Sequence, residues 1–196
     1  MPEKSELRKI YLEKRKSLAP KERTRLSRRI ADRFFQKFDL SAVGFLHCFL
    51  PIERFGEIDT RLVFERLWRE FPRLETLVPR VDYASGEIEN LRFTKETVLT
   101  QSRWQIHEPA HDETIETARI DLILVPLLCF DRRGFRVGYG KGFYDRLLKK
   151  CRADCPKIGL SFFPPIAEIE DTHQADVRLD FCVTPEEVFE TRNAEC

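Results

Sequence analysis

Three glycines alternate with other residues in RRGFRVGYGKGFYDRLLKK, Arg132 to Lys150. Gly138, Gly140 and Gly142 fill three of five positions, with Lys141 between the last two and Asp145 just beyond. Glycine lets a backbone approach another molecule closely, and it loses more entropy on folding than any other residue. Such a cluster calls for a shared reason, and a bound anion is the first candidate. The stretch lies between an apolar run and an amphipathic one, giving the order strand, glycine loop, helix. N–H groups at a helix start are unpaired, and the helix dipole favours negative charge there. Glycines let those amides curl around oxygens, and Lys141 adds a mobile positive charge. Asp145 is badly placed to touch phosphate but well placed to share a divalent cation with one, since Mg²⁺ commonly takes one or two carboxylates together with phosphate oxygens. An Asp in a first helical turn also stabilises the dipole without a metal, and a glycine-rich turn can be a plain connection. Residue types alone leave both readings standing. The loop is not a P-loop, because Phe143 follows Gly142 where Ser or Thr is needed. Nor is it a dinucleotide fingerprint, because its spacing is GxGxG.

The elements around the loop follow from periodicity. Residues 3 to 18 predict a helix, with Leu7, Ile10, Tyr11 and Leu18 at helical spacing. Pro20 opens a second helix, with Leu26, Ile30, Phe34 and Phe38 on one face. Val43 to Leu50 is short and apolar, hence a buried strand. Asp59 or Thr60 can cap a helix to about Phe71, with Leu62, Val63, Leu67 and Trp68 inward. Leu77 to Val81 is a strand interrupted by Pro79, which places it near a sheet edge or a strand end. Tyr83 to Glu87 is a turn. Ile120 to Phe130 is the most apolar run, as expected of a parallel strand covered on both faces. The glycine loop follows it, then a helix from about Phe143 to Cys151, then strands at Lys157 to Phe162 and Phe181 to Thr184. Thr184-Pro185-Glu186-Glu187 matches a capping box with Pro at the first helical position. Alternating strands and helices give an α/β class: a single domain over 1–196, a mainly parallel central sheet with helices on both faces in three layers, opened by a basic helical segment, 3–38.

Composition narrows the setting. The chain has 196 residues, 42% apolar and 34% charged, enough for a core and a polar surface. No stretch reaches the roughly 18 consecutive apolar residues of a membrane span, and MPEKSELRK offers no apolar core for a secretory signal. Cys48, Cys129 and Cys182 lie inside apolar runs as small core residues. Cys151 and Cys155 form a lone pair with no second pair or nearby His to complete a zinc site. A cytoplasmic protein is expected. Net charge is +1, yet residues 1 to 37 hold 13 Lys+Arg against 5 Asp+Glu. That basic segment suits nucleic acid, a phosphorylated small molecule, or a solvated helix face.

The spelling DRRGFRVGYGKGFYDRLL resembles the signature of the 5-formyltetrahydrofolate cyclo-ligases, the 5,10-methenyltetrahydrofolate synthetases. Their pattern is roughly D-x-x-G-x-R-[LV]-G-x-G-x-G-[YF]-Y-D. KSELRKIYLEKRKSL, FLPIERFGEIDT, VPRV, SRWQIHEP, DLILVPLLCFD and HQADVRLDFCVTP resemble further blocks in the expected order, so the likeness spans nearly the whole chain. It implies ATP-dependent conversion of 5-formyltetrahydrofolate to 5,10-methenyltetrahydrofolate, with release of ADP and phosphate. It implies ATP held by Lys4, Ser5, Glu6, Leu7 and Arg8 of the opening helix and by Arg136, Val137, Gly138, Tyr139, Gly140, Lys141, Gly142, Phe143 and Tyr144. Lys141 and Arg136 are the expected catalytic cations. Mg²⁺ is expected on Asp145 and Asp176, with Asp180 a nearby competitor. Glu57 matches the folate-binding Glu, and Leu50, Trp104 and Tyr139 are candidate walls for the pterin. Lys4 and Arg8, four apart, leave one helix face. Two departures stand out: Phe143 replaces a common Tyr, and Arg54-Phe55-Gly56 looks like an insertion before Glu57. Both substrates are small molecules, and a monomer is expected.

Rival readings differ in what they require. A sugar-phosphate isomerase or CoA-transferase type enzyme would bind phosphate without consuming ATP. A non-catalytic RNA-associated module would need aromatic residues among the basic ones, yet Tyr11 is the only aromatic before Phe34. His107-Glu108-Pro109-Ala110-His111 spells H-E-x-x-H, a zinc motif that needs both His on one helical face. Pro109 disfavours helix at Glu108, which leaves both His as loop residues.

Overall fold

The structure is a computed structural model, and it describes residues 3–101, 107–110 and 113–191. Two helices come first, α1 (Lys4–Ser17) and α2 (Pro20–Lys37). Then follow β1 (Phe45–His47), a 3-10 turn (Glu53–Phe55), α3 (Arg61–Glu70), β2 (Glu75–Asp82), β3 (Glu87–Arg92), β4 (Leu99–Gln101), β5 (His107–Pro109) and β6 (Thr114–Ile115). The remainder is a second 3-10 turn (Thr117–Arg119), β7 (Leu122–Pro126), β8 (Cys129–Phe130), β9 (Arg136–Val137), α4 (Phe143–Lys150), β10 (Lys157–Leu160), β11 (Phe181–Val183) and β12 (Val188–Glu190).

Eight strands form one sheet in the order β12-β11-β10-β7-β1-β2-β3-β6. The five from β11 to β2 run parallel; β12, β3 and β6 pair antiparallel at the two edges. Successive strand residues face opposite sides, and β7 uses that alternation fully. Leu122 and Leu124 pack with Ile30 and Phe34 of α2 and Val63, Phe64 and Leu67 of α3. Ile123 and Val125 pack with Leu147 and Leu148 of α4. Phe34 and Phe64 are fully buried, each contributing roughly 1.5–3 kcal/mol of transfer free energy. A third cluster seats Leu7 and Tyr11 of α1 over Leu128, Cys129 and Val137, so the basic opening helix lies across the β8–β9 hairpin.

Several local expectations change. The apolar run is not one strand: β7 ends at Pro126, which lacks the N–H a ladder needs, and β8 joins β9 in a separate ribbon. The glycine loop therefore leaves a hairpin rather than the central strand. β2 is an interior strand, between β1 and β3. Its register with β1 covers only Glu75 to Leu77, so Pro79 lies beyond the end of β1, where no donor is missed on that side. His107-Glu108-Pro109 is strand β5, not helix, and His111 lies outside the described residues. Among the described residues no helix follows Thr184. Its backbone N–H donates to Glu187 O at 2.9 Å, its hydroxyl accepts from Glu187 N–H at 3.0 Å, and the chain turns into β12. Thr184→Val keeps the shape and removes that hydroxyl; it should lower stability by about 1 kcal/mol, read as a lower thermal midpoint with unchanged turnover.

Candidate functional site

From β1 the chain moves to β2 on one side, and from β7 it moves to β10 on the other. The sheet order reverses between β1 and β7, and open α/β sheets bind ligands in the crevice beyond the strand ends at such a point. A cleft of about 980 Å³ opens there. Its walls come from the segment after β1, from the end of β2, from α1 and from the glycine loop with α4.

The loop half presents unpaired donors and positive charge. Gly140 and Gly142 have φ of +85° and +67°, a left-handed backbone that favours glycine. Among the described residues, the amides of Gly138 to Gly142 donate no hydrogen bond, and the first turn of α4 adds its own unpaired N–H groups. Arg8 closes one side, donating from Nε to Gly138 O at 2.9 Å. A Cβ on Gly140 would lie 3.1 Å from the Arg8 guanidinium. Gly140→Ala therefore combines a strained φ with a crowded guanidinium, and should cost about 1–2 kcal/mol of stability, read as a lower thermal midpoint. Lys141 is exposed on the rim, and its ammonium has no hydrogen bond or ion pair among the described residues.

Two acid–base pairs lie beside the loop. Arg136 donates from Nη2 to Asp145 Oδ1 at 2.8 Å and from Nη1 to Val177 O at 2.5 Å. Burial pulls the Arg136 pKa down, against the pull of Asp145. Lys4 Nζ donates to Asp176 Oδ2 at 2.5 Å, and His173 N–H reaches the same oxygen at 2.7 Å. Burial alone would raise the Asp176 pKa, but Lys4 and the His173 amide hold it below the usual range. Asp145 Oδ2 and Asp176 Oδ1 keep no partner among the described residues. A cation taking one oxygen from each, plus phosphate oxygens, suits the coordination habits of Mg²⁺. Asp180 is committed elsewhere: its Oδ2 accepts from Lys157 N–H at 2.8 Å, and it does not line the cleft.

The other half is a buried carboxylate in an aromatic frame. Glu57 Oε2 accepts from Ile52 N–H at 2.8 Å, and Glu57 Oε1 accepts from the Tyr139 hydroxyl. Arg15 is 4% exposed; it donates from Nη1 to that hydroxyl at 2.8 Å and from Nη2 to Leu127 O at 2.5 Å. Burial raises the Glu57 pKa, opposed by Arg15 at 3.9 Å and by the Tyr139 bond. Phe55 stacks on Tyr139 with ring centroids 5.0 Å apart, and Leu50, Phe49, Ile52 and Pro126 complete an apolar slot.

Lys4, Arg8, Leu50, Glu57, Arg136, Gly138 to Asp145 and Asp176 thus meet in one cleft. Ser5 and Glu6 are exposed and face away from it, while Leu7 and Val137 are packed in the core beneath α1. Trp104 lies outside the described residues. Sequence reasoning missed Arg15, Phe55 and the buried His47 behind Tyr144. Arg15 had a signal: it stands seven residues after Arg8 and eleven after Lys4, about two and three helical turns along the same face.

The family model described as the 5-formyltetrahydrofolate cyclo-ligase family matches residues 1–185. The 5-formyltetrahydrofolate cyclo-ligase of Escherichia coli (strain K12) is 29% identical over 183 residues, covering 91% of this chain and 98% of the relative. The NMR structure of Aquifex aeolicus 5,10-methenyltetrahydrofolate synthetase superposes with a TM-score of 0.83 at 31% identity, covering 98% of this chain and 95% of that one. A 5,10-methenyltetrahydrofolate synthetase structure from Mycoplasma pneumoniae gives 0.71 at 25% identity, over 94% and 99%.

Proposed function

The chain belongs to the 5-formyltetrahydrofolate cyclo-ligase family, and from that premise we propose how its cleft carries out the ATP-dependent closure of 5-formyltetrahydrofolate to 5,10-methenyltetrahydrofolate. The supporting observation is the pairing of two unlike halves at the β1/β7 switch point. One is a loop whose amides and Lys141 ammonium have no partner among the described residues; the other is an apolar slot ending in a buried carboxylate.

The triphosphate lies along Gly138 to Gly142, with Lys141 and Arg8 as its counter-charges. Asp145 and Asp176 would hold Mg²⁺, which when bound neutralises phosphate charge. Lys4 and Arg136 keep the two carboxylates in place. Glu57 accepts hydrogen bonds from the donor nitrogens at the pterin edge, and Tyr139, Phe55 and Leu50 wall the ring. The reaction then needs alignment more than a strong base. The formyl oxygen carries no proton; it attacks the γ-phosphorus and the bond to ADP breaks. The N10 lone pair bonds to the activated formyl carbon, and the carbon–oxygen bond to phosphate breaks. The hydrogen that N10 gives up balances the phosphate released as its monohydrogen ion.

Among the described residues no helix is long and apolar enough to cross a membrane. Five described cysteines are free, which suits a reducing, cytoplasmic setting. The direct test mixes protein, Mg·ATP and 5-formyltetrahydrofolate and follows methenyl absorbance with phosphate release. Equal amounts of both products are expected. Folded protein yielding neither would overturn the reading.

A further inference from the structure

His47 is fully buried at the end of β1, and no step above uses it. Its ring nitrogens join two polar groups. Nδ1 is 2.9 Å from Asn90 Oδ1, and Nε2 is 3.3 Å from the Tyr144 hydroxyl. The direction of each bond can be deduced. Asn90 Nδ2 reaches Ile115 O at 3.4 Å and Thr117 Oγ1 at 3.0 Å. A carbonyl only accepts, so the amide nitrogen faces Ile115 and the amide oxygen faces His47. That oxygen can only accept, so His47 carries its hydrogen on Nδ1. Desolvation lowers the His47 pKa to about 4, so the ring is neutral and Nε2 is a bare acceptor. Tyr144 must then donate its O–H to Nε2, which leaves the phenol oxygen with lone pairs only.

Where those lone pairs lie follows from the neighbours. Tyr144 lines the cleft. The same cleft is lined by Glu57 at the slot end and by Arg136 at the phosphate end. Tyr144 therefore shares one cleft with both anchors. In the folate substrate the donor beside the formyl group is N10–H, while Glu57 serves the donors of the far edge. Given the function proposed above, we propose that His47 is a positioning residue. It takes the hydrogen of the Tyr144 hydroxyl and so presents the phenol oxygen as an acceptor for the substrate N10–H. The resulting bond holds N10 with its lone pair toward the formyl carbon. With the opposite tautomer Tyr144 would be free to donate to the formyl oxygen instead, weakening the nucleophile that must attack phosphorus.

The tautomer is measured without a variant, from ¹⁵N shifts of labelled imidazole between pH 6 and 8. His47 protonated at Nδ1 is expected; protonation at Nε2 would end the proposal. Kinetics supply the second arm. Tyr144→Phe should lower kcat about a hundredfold, the low end for a positioned proton acceptor. His47→Phe should do the same, and the double variant should fall no further, as expected of two residues acting as one unit. His47→Gln offers a carbonyl oxygen to the phenol and should recover most of the loss. Additive losses, or parental kcat in folded His47→Phe, would refute the role. If His47→Phe does not fold, the tautomer and the Gln variant still decide. A parent protein that makes no methenyl product would count against the function, whereas active His47 variants would count only against this residue.

Discussion

Lys141→Ala should turn over about 10³-fold more slowly than the parent, the upper range for removing one preorganised charge from a transition state. The side chain is exposed, with no hydrogen bond or ion pair among the described residues, so its loss should leave thermal stability within about 0.5 kcal/mol. That combination separates a charge held ready for substrate from one that supports the fold. Lys141→Arg should recover part of the rate, since it restores the charge but not the compact geometry of an ammonium. Parental turnover in Lys141→Ala would remove the loop from the chemistry.

Glu57→Gln should raise the KM for 5-formyltetrahydrofolate about 100-fold, in line with a charged hydrogen bond worth up to about 3 kcal/mol, while the KM for ATP stays near its parental value. The carboxylate is the acceptor at the closed end of the slot, held by Ile52 N–H and Tyr139. Gln keeps the shape but offers one acceptor where the carboxylate offered two. A pH signature follows. Burial raises the Glu57 pKa, and only the ionised form accepts from the pterin edge as drawn. Substrate affinity should therefore fall on acidification through a midpoint above the ordinary carboxylate range. The limb should be missing in Glu57→Gln. The stability sign is opposite: a raised pKa favours the protonated folded state, so this group stabilises most at low pH and that contribution is lost as pH rises through its folded value. An acid limb surviving in Glu57→Gln would assign it to another group.

The phosphate half of the cleft was legible because its parts are neighbours in the chain. Gly138, Gly140, Lys141, Gly142 and Asp145 span eight positions, and their spacing encodes a strand-to-helix turn. The α/β class was legible for the same local reason, since β7 and β10 show as apolar runs and α4 as an amphipathic stretch. The folate half was not. Tyr139 meets Glu57 across 82 positions and Arg15 across 124, and no local pattern encodes such a meeting. Only the resemblance pointed to Glu57, and nothing pointed to Arg15 as its neighbour. The error at Thr184 has a different origin. A capping box and a tight Thr turn share their first bond, donated by the N–H three residues on to the Thr oxygen. Thr184 makes that bond to Glu187, and it is pairing with β11 that settles the next residues as strand rather than helix.

The most direct test of the cleft as an ATP-driven folate site is an amide titration. Protein labelled with ¹⁵N is titrated with Mg·ATP, and the backbone signals of residues 138–145 are followed. The largest shifts should fall on Gly138, Gly140, Lys141 and Gly142, whose N–H groups await acceptors, and they should saturate at the concentration that half-saturates turnover. Turnover with those amides unmoved would contradict the account, because the triphosphate would then be gripped somewhere else.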